Sequence, residues 1–355
     1  MKVLHICETV KAGTATYLNE LVPLQECEED MQVKLLMPRE HAVQVPDIDA
    51  SALVLFRRRS RALGLPFLFL ATIVTLFQFR PDIVHAHSTF AGVVGRLVGY
   101  LCRAKVIYSP HGWAMDREQP DFLRRLYARL ELGLSKLTTH FVAVSEHEVQ
   151  RGIQLGIQAE KITKIYNGLR ESVPAFFPVV WNDSRIKILF VGRLDKDKGV
   201  DILLEACRLL TKEAVLHVIG GAVVEKQSFS VDDYPHVTFY GWMSAESIPS
   251  HMASCDVVVV PSRWEGFGYV AAEAMKLSKP VFAANVGGLK ELIEDGETGF
   301  LFPAEDATAL AKLIKGADRG RLQKMGQAGR IRFQEKFTSE RMAREVRSVY
   351  KKVMR

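Results

Sequence analysis

The sequence predicts an α/β protein of two doubly wound parallel-sheet domains facing one another across a cleft. Three observations predict it. Strand-like and helix-like patterns alternate in two series along the chain, the strand-like segments are continuous apolar runs, and a proline-bearing polar stretch separates the two series. At 355 residues the chain can bury a sizeable core in each of two domains. Its composition, 48% hydrophobic and 25% charged, is ordinary globular usage and excludes a disordered or collagen-like chain.

The first series reads as a strand over 2–7 and a helix over 14–25, strands over 33–37 and 53–56, a helix over 63–79, a strand over 83–87, a helix over 89–102, strands over 105–109 and 141–144, and a helix over 146–155. Strands that alternate with helices imply crossover connections and a parallel sheet. Between Arg170 and Arg185 the pattern lapses, with Pro174, Pro178 and the turn-forming Asn182-Asp183-Ser184. This predicts an inter-domain linker over 171–185, a first domain over 1–170 and a second over 186–338, with room for the C-terminal helix, about 339–355, to pack back on the first. The second series reads as a strand over 186–191, a helix over 200–210, strands over 215–219, 237–240 and 257–260, a helix over 269–277, a strand over 281–284 and helices near 290–293 and over 307–315, 319–336 and 339–354. Ligands of open α/β sheets bind beyond the carboxyl ends of the strands, so the loops at those ends are where chemistry is expected.

The five cysteines are scattered and odd in number, with no CxxC, which argues against a disulfide framework or a structural zinc site and for a reducing compartment. The N-terminus, MKVLHICETV, enters a strand directly, so the expectation is a cytoplasmic protein. The formal charge of +6 is local: residues 57–136 carry 13 Lys and Arg against 5 Asp and Glu, and the remainder is slightly acidic. A general nucleic-acid affinity is not expected from such a distribution. Within that interval Arg57-Arg58-Arg59 and Arg61 precede an uncharged stretch from Leu63 to Phe79. A membrane span needs about 20 apolar residues, and Gly64, Pro66, Thr72, Thr75 and Gln78 dilute this one. Two readings stay open: a helix buried in the N-terminal core, or one resting in a lipid interface beside basic residues.

Neither opening strand is followed by G-x-G-x-x-G, and no G-x-x-x-x-G-K-[ST] occurs, which excludes the usual dinucleotide fingerprint and P-loop chemistry. The most informative segment runs from Val257 to Met275. It reads as a buried strand, a turn with Gly266, Phe267 and Gly268, and a helix beginning near Tyr269. Glycines let a backbone approach a ligand closely, and the free N–H groups of a helix start favour an anion such as a phosphate. Glu273, roughly 6 Å into the helix, points back toward its start and can accept hydrogen bonds from ribose hydroxyls, while Glu265 stands in the turn. The plainer reading pairs Glu273 with Lys276 and leaves Glu265 in solvent.

A second cluster, Gly192-Arg193-Leu194-Asp195-Lys196-Asp197-Lys198-Gly199, follows the second domain's opening strand. Arg193 and Lys198 suit a diphosphate and could stabilise the charge on a departing nucleoside diphosphate. Asp195 and Asp197 could be read as metal ligands, but three cations lie among them, and no metal site is expected. In the first domain Ser109-Pro110-His111-Gly112-Trp113 places His111 at a strand end facing the cleft, whereas His85 and His87 could simply cap their strand. Gly13, in Lys11-Ala12-Gly13-Thr14, is a single-glycine loop leading into a helix, and Ser145 reads as a helix cap.

Taken together these residues resemble retaining glycosyltransferases of family 4, whose fold is the GT-B pair of Rossmann-like domains. The resemblance rests on Glu265-x7-Glu273, Gly192-Arg193-Leu194 with Lys198-Gly199, Gly287-Gly288-Leu289 with Glu291, and Gly296 with Thr298-Gly299-Phe300-Leu301. His111-Gly112, Ser145-Glu146 and Asn167-Gly168 match in the N-terminal half, where Ala12-Gly13 replaces the usual glycine pair and Leu169-Arg170 replaces an Asp after Asn-Gly. The resemblance implies an acceptor-binding first domain and a donor-binding second domain. It gives Arg193 and Lys198 the donor diphosphate, Glu273 the ribose, Glu265 and the Gly266–Gly268 backbone the transferred sugar, and His111 a sugar contact. The nucleobase would lie near Gly220-Gly221 and Tyr240-Gly241-Trp242.

The implied chemistry is transfer of a hexose-type sugar with retained configuration and no obligatory cofactor or metal, by front-face attack in which the leaving phosphate helps take the acceptor proton. The donor would be a nucleoside-diphosphate sugar, UDP-linked ahead of GDP-linked. The acceptor would be a glycan or lipid-linked saccharide in cell-surface polysaccharide or glycolipid synthesis, with peripheral membrane contact through 57–80. The alternatives are another nucleotide-sugar enzyme of the same fold, such as an epimerase, or a non-catalytic nucleotide-sugar-binding module.

Overall fold

The computed structural model describes residues 1–58, 61–116, 119–173, 175–221 and 234–355, side chains excepted at 61–63. The chain forms two compact units, Met1–Gly168 with Ser339–Arg355, and Leu169–Thr338.

The first unit follows the alternating pattern: β1 (Lys2–Cys7), α1 (Gly13–Glu26), β2 (Gln32–Pro38), β3 (Leu53–Phe56), α2 (Arg61–Phe79), β4 (Ile83–His87), α3 (Thr89–Leu101), β5 (Lys105–Ser109), α4 (Asp121–Ser135), β6 (His140–Ala143), α5 (Glu146–Gln154) and β7 (Ile162–Lys164). The seven strands are all parallel, in the order β3-β2-β1-β4-β5-β6-β7. Helices cover both faces, so β4 is buried along its whole length and β1 at every residue but Lys2. This is why these strands read as continuous apolar runs. The second unit contains β8 (Ile186–Val191), α6 (Val200–Arg208), β9 (Ala214–Ile219), β10 (Val237–Gly241), α7 (Ile248–Ser254), β11 (Val257–Val260), α8 (Tyr269–Lys276), β12 (Val281–Ala284), α9 (Leu289–Leu292), β13 (Gly299–Phe302), α10 (Ala307–Lys315) and α11 (Arg319–Lys336). Its six parallel strands run β10-β9-β8-β11-β12-β13. In both sheets the strand order reverses beside the opening strand, which opens a crevice at the carboxyl ends of β1 and β4 and of β8 and β11.

The last helix, α12 (Ser339–Met354), belongs to the first unit. It packs on α1, burying Met342, Val346 and Tyr350, and Arg347 reaches Glu28 and Asp30 at 2.7 and 2.6 Å. Residues 171–185, expected to be a linker, group with the second unit instead. Trp181 is buried and stacks on His217 of β9 with ring centroids 3.4 Å apart, and Asp183 holds Arg185 at 2.7 Å. An aromatic anchor of that size fixes what prolines alone would leave as a tether; Pro174 lies outside the described residues.

The two readings of the stretch from Leu63 to Phe79 each hold on one face of α2. Leu68, Thr72, Thr75 and Leu76 are buried in the core, and the two threonine hydroxyls donate to carbonyls one turn back, Leu68 and Ala71, at 2.7 Å each. Phe67, Leu70, Val74 and Phe77, spaced along the opposite stripe, are exposed. Among the described residues no helix is long and apolar enough to cross a membrane.

The helix α4 has no counterpart in the sequence reading. Its Phe122, Leu126 and Leu130 are exposed, while Leu134 is buried and Tyr127 and Ala128 pack on the core; a buried polar contact joins them. Glu131 is buried and accepts from Arg96 of α3 at 2.7 Å and from the Tyr108 hydroxyl of β5 at 3.3 Å. The Arg96 guanidinium also donates to the Gly92 carbonyl and lies over the Tyr108 ring, 4.0 Å from its centroid. A buried ion pair broken on one side leaves an uncompensated charge, at a cost of about 3–5 kcal/mol, whereas replacing both partners by apolar groups is often nearly neutral. Arg96→Met is therefore expected to lower unfolding stability by about that amount in urea titration, and Arg96→Met combined with Glu131→Leu to recover most of it. A single variant as stable as the parent would show that the pair does not hold α4.

Candidate active site

In the second unit the two loops flanking the β8/β11 crevice carry the predicted residues. The loop after β8 begins with Gly192-Arg193, and Asp195 caps the short turn 196–198 by accepting from the Lys198 N–H at 3.1 Å. The turn ends at Gly199, which adopts φ 65°; a Cβ there would stand 2.1 Å from the Pro261 carbonyl oxygen. Only glycine allows the β8 loop to lie this close to the end of β11. The Lys198 ammonium thereby reaches Glu265, in the loop after β11, with Nζ to Oε2 at 2.5 Å and both side chains partly exposed. The Ser262 hydroxyl donates to the same carboxylate oxygen at 3.4 Å.

The Glu265 turn is held from its other side by the loop after β12. The Gly288 N–H donates to the Glu265 carbonyl at 2.9 Å. Gly287 adopts φ 45°, and a Cβ on it would stand 2.0 Å from the same oxygen. Gly266 and Gly268 stand with Glu265 in this turn, and Gly268 is the residue before α8, whose first turn receives no side-chain cap. Its leading N–H groups and dipole therefore form an anion-favouring end. Glu273 lies half-buried in α8. Phe267, expected among the ligand-binding residues, has its side chain in the core, 3% exposed, against Tyr269 and Phe337 with centroids 5.3 and 5.8 Å away. Only its backbone faces the turn, because an aromatic ring between two glycines is the residue that can anchor the loop.

Arg193 is engaged within its own loop, with Nε 2.8 Å from Asp195 and Nη2 3.9 Å from Asp197. The two acids thus balance a cation. Gly241, with φ 69°, ends β10, and its carbonyl accepts from the Gly220 N–H at 2.8 Å. The exposed Trp242 indole lies against Gly221. These residues bring a flat aromatic surface beside the β9 end.

In the first unit Gly13 opens α1 and is exposed. Ala12 before it adopts φ 48° and ψ −133°, a conformation that glycine takes without strain. The loop after β5 carries His111 at φ 51°. Its position is fixed by Glu148, a buried residue of α5 that the sequence reading did not single out. Its carboxylate accepts from the Gly112 and Val144 N–H groups at 2.5 and 3.0 Å, and its carbonyl accepts from the Trp113 indole at 2.9 Å. Ser145 caps α5 by accepting from the Glu148 N–H at 3.3 Å, so the Ser-x-x-Glu spacing was the available signal.

His85 and His87 are wholly buried on β4 and do more than cap it. His87 Nε2 lies 2.9 Å from His5 Nδ1, and His87 Nδ1 lies 3.0 Å from His111 Nε2. Burial holds these imidazoles below the usual histidine range, to about 4 for His5 and His111. They are neutral near pH 7. His5, His85 and His87 also form, among the described residues, a group of three ligand-type side chains close enough for a metal ion. Both ring nitrogens of each already have hydrogen-bond partners in the protein.

Arg58 stands in a third place. It is bound within the first unit to Glu8 at 3.0 Å and to the Thr9 hydroxyl at 3.0 Å, so it is not part of a freely solvated basic face. Arg59 lies outside the described residues.

Known proteins match this chain along nearly its whole length. Residues 13–172 match the family described as Glycosyltransferase Family 4, and residues 174–332 the family described as Glycosyl transferases group 1. A 41.2 kDa protein in the cps region of Klebsiella pneumoniae is 34% identical over 328 residues, covering 88% of this chain and 89% of that one. The capsular polysaccharide biosynthesis glycosyltransferase CapM of Staphylococcus aureus is 27% identical, covering 79% of each. Anabaena HepE, solved in complex with UDP and glucose, superimposes with a TM-score of 0.81 at 22% identity over 99% of this chain and 100% of that one, a likeness of fold. With its two parallel-sheet units and these matches, the chain belongs to the GT-B glycosyltransferases, with a family 4 domain followed by a group 1 domain.

Proposed function

We propose that this glycosyltransferase moves a hexose-type sugar, with retained configuration, from a UDP-linked donor to a glycan or lipid-linked acceptor in cell-surface polysaccharide synthesis. The observation that carries the donor site is the Lys198–Glu265 pair at the β8/β11 crevice, beside an uncapped helix start. A diphosphate arriving there meets a pre-positioned ammonium and the N–H groups of α8, while the Glu265 carboxylate, on a backbone held through its carbonyl by the Gly288 N–H, accepts from a sugar hydroxyl. Arg193 adds a second cation, and Glu273 takes the ribose hydroxyls. His111 offers a neutral imidazole nitrogen to a sugar hydroxyl. No residue is asked to act as a covalent nucleophile; the departing phosphate helps accept the acceptor's proton. The relatives CapM, named for capsular polysaccharide biosynthesis, and HepE, solved with UDP and glucose, support the substrate class.

A thermal-shift panel of UDP, GDP, ADP and dTDP tests the donor site. A nucleotide at a hundred times its dissociation constant stabilises by about 2.7 kcal/mol. UDP is expected to raise the melting temperature most, with the shift reduced in Glu273→Ala, and Lys198→Ala is expected to lower sugar transfer by about a hundredfold or more. A folded protein that responds to none of the four, or a Lys198→Ala enzyme of parental rate, would overturn the assignment.

The proposal includes peripheral contact with the cytoplasmic face of a membrane. It is supported by the exposed stripe Phe67, Leu70, Val74 and Phe77 on α2, by Leu97, Tyr100 and Leu101 on the neighbouring α3, and by the exposed Arg57, Arg125 and Arg129. Apolar side chains buried at the headgroup boundary and cations facing anionic lipid reinforce one another. The full chain is expected to co-sediment with anionic liposomes at low salt, and Leu70→Glu with Phe77→Glu to abolish this. Equal sedimentation of the parent with and without liposomes would contradict it.

A further inference from the structure

The buried histidines of the first unit form a continuous hydrogen-bonded line that ends at the partly exposed His111. It starts at Gln25 of α1, a glutamine 2% exposed, whose amide oxygen lies 2.8 Å from His5 Nε2. The line continues from His5 Nδ1 to His87 Nε2 at 2.9 Å and from His87 Nδ1 to His111 Nε2 at 3.0 Å. Parallel pairing of β1, β4 and β5 sets this geometry, since the register places Cys7 beside His87 and His87 beside Ser109. The Tyr17 ring of α1 meets the His111 ring edge-on at 4.6 Å between centroids and holds its plane.

A neutral imidazole has one donor and one acceptor nitrogen, so protonation at one end of such a line dictates every proton along it. The Gln25 oxygen can only accept, so His5 carries its proton on Nε2 and presents a lone pair at Nδ1. His87 must then donate from Nε2 and accept at Nδ1, and His111 must donate from Nε2. The other side of the amide is consistent with this. The Gln25 NH2 group donates to the Tyr350 oxygen at 3.4 Å, leaving the Tyr350 hydroxyl to donate to His85 Nδ1 at 2.7 Å and His85 Nε2 to donate to Ser109 at 2.8 Å.

We propose that Gln25 is a positioning residue that acts through His5 and His87 to fix His111 as the Nε2–H tautomer, presenting the Nδ1 lone pair as a hydrogen-bond acceptor for a substrate hydroxyl. Among the described residues Nδ1 of His111 has no protein partner. A sugar hydroxyl that donates to this nitrogen is recognised, whereas a group that can only accept there is rejected, which makes the line a specificity device. The functional meaning rests on the proposed sugar contact of His111; the tautomer itself does not.

Two-bond 15N–1H correlation spectra of the full chain, labelled with 15N-histidine and free of nucleotide, read protonation nitrogen by nitrogen at neutral pH. His5, His87 and His111 are expected to be protonated on Nε2 alone. Gln25→Glu, which keeps an acceptor facing His5, is expected to preserve that pattern, and Gln25→Met, which removes the polar end, to give His111 a mixture of both tautomers. A parent protein with its His111 proton on Nδ1, the state a reversed Gln25 amide would impose, overturns the proposal. So does Gln25→Met leaving His111 unchanged, which would give Gln25 a packing role only. Should Gln25→Met fail to fold, the parent and Gln25→Glu spectra decide. No nucleotide is present, so the outcome is independent of the donor-site panel.

Discussion

The second unit depends on backbone approaching backbone more closely than any side chain permits. At the ends of β8, β11 and β12 three separate loops are pressed together, the first against Pro261 at Gly199 and the third against Glu265 at Gly287. A parallel sheet delivers its loops to one edge but does not say how they touch; the glycines do. Once the loops are joined, the Lys198 ammonium and the Glu265 carboxylate are 2.5 Å apart without a long side chain having to search for its partner. Less side-chain entropy is then lost when a charged ligand arrives.

The first unit meets a different constraint with a different device. Its central strands carry His5, His85 and His87 in a wholly buried position, where an unpaired polar group would cost about 1–3 kcal/mol. Each imidazole is satisfied by its neighbours, and the closing helix contributes Tyr350 to the same network. Residues far apart in sequence, Gln25 and Tyr350 among them, are thereby joined to the His111 loop. The polar network ties α12 to the sheet, while Met342 and Val346 supply the apolar part of that packing.

Much of this was legible in the sequence, for physical reasons. Strands buried on both faces must be apolar runs, so those at Ile83–His87, Lys105–Ser109 and Val257–Val260 were read to the residue. The turn between Glu265 and Glu273 was visible because glycines and acids at fixed spacing leave a trace in the sequence. What was missed is held by partners remote in sequence. The helix α4 turns Phe122, Leu126 and Leu130 to solvent and buries the Glu131 carboxylate, the reverse of what residue type suggests, and β7 and β13 are short, partly buried edge strands. The stretch from Leu63 to Phe79 was ambiguous because both its faces are apolar, one for the core and one exposed. Phe267 was counted with the ligand-binding residues through its backbone, and the core position of its ring was not legible, since a sequence records that a ring lies in a turn but not which way it points.

The dependence of the proposed donor site on these glycines is tested most directly by the UDP dissociation constant of Gly287→Ala set against that of Gly296→Ala. Both positions have positive φ, 45° and 80°, so both variants carry backbone strain, but a Cβ at Gly296 meets nothing within 4 Å. Strain or displacement worth about 1–3 kcal/mol corresponds to roughly a tenfold change or more. Gly287→Ala is predicted to weaken UDP by at least about tenfold with its far-ultraviolet circular dichroism unchanged, and Gly296→Ala to bind as the parent does. Equal affinities for the two folded variants would contradict the claim that the contact between Gly287 and the Glu265 carbonyl shapes the site.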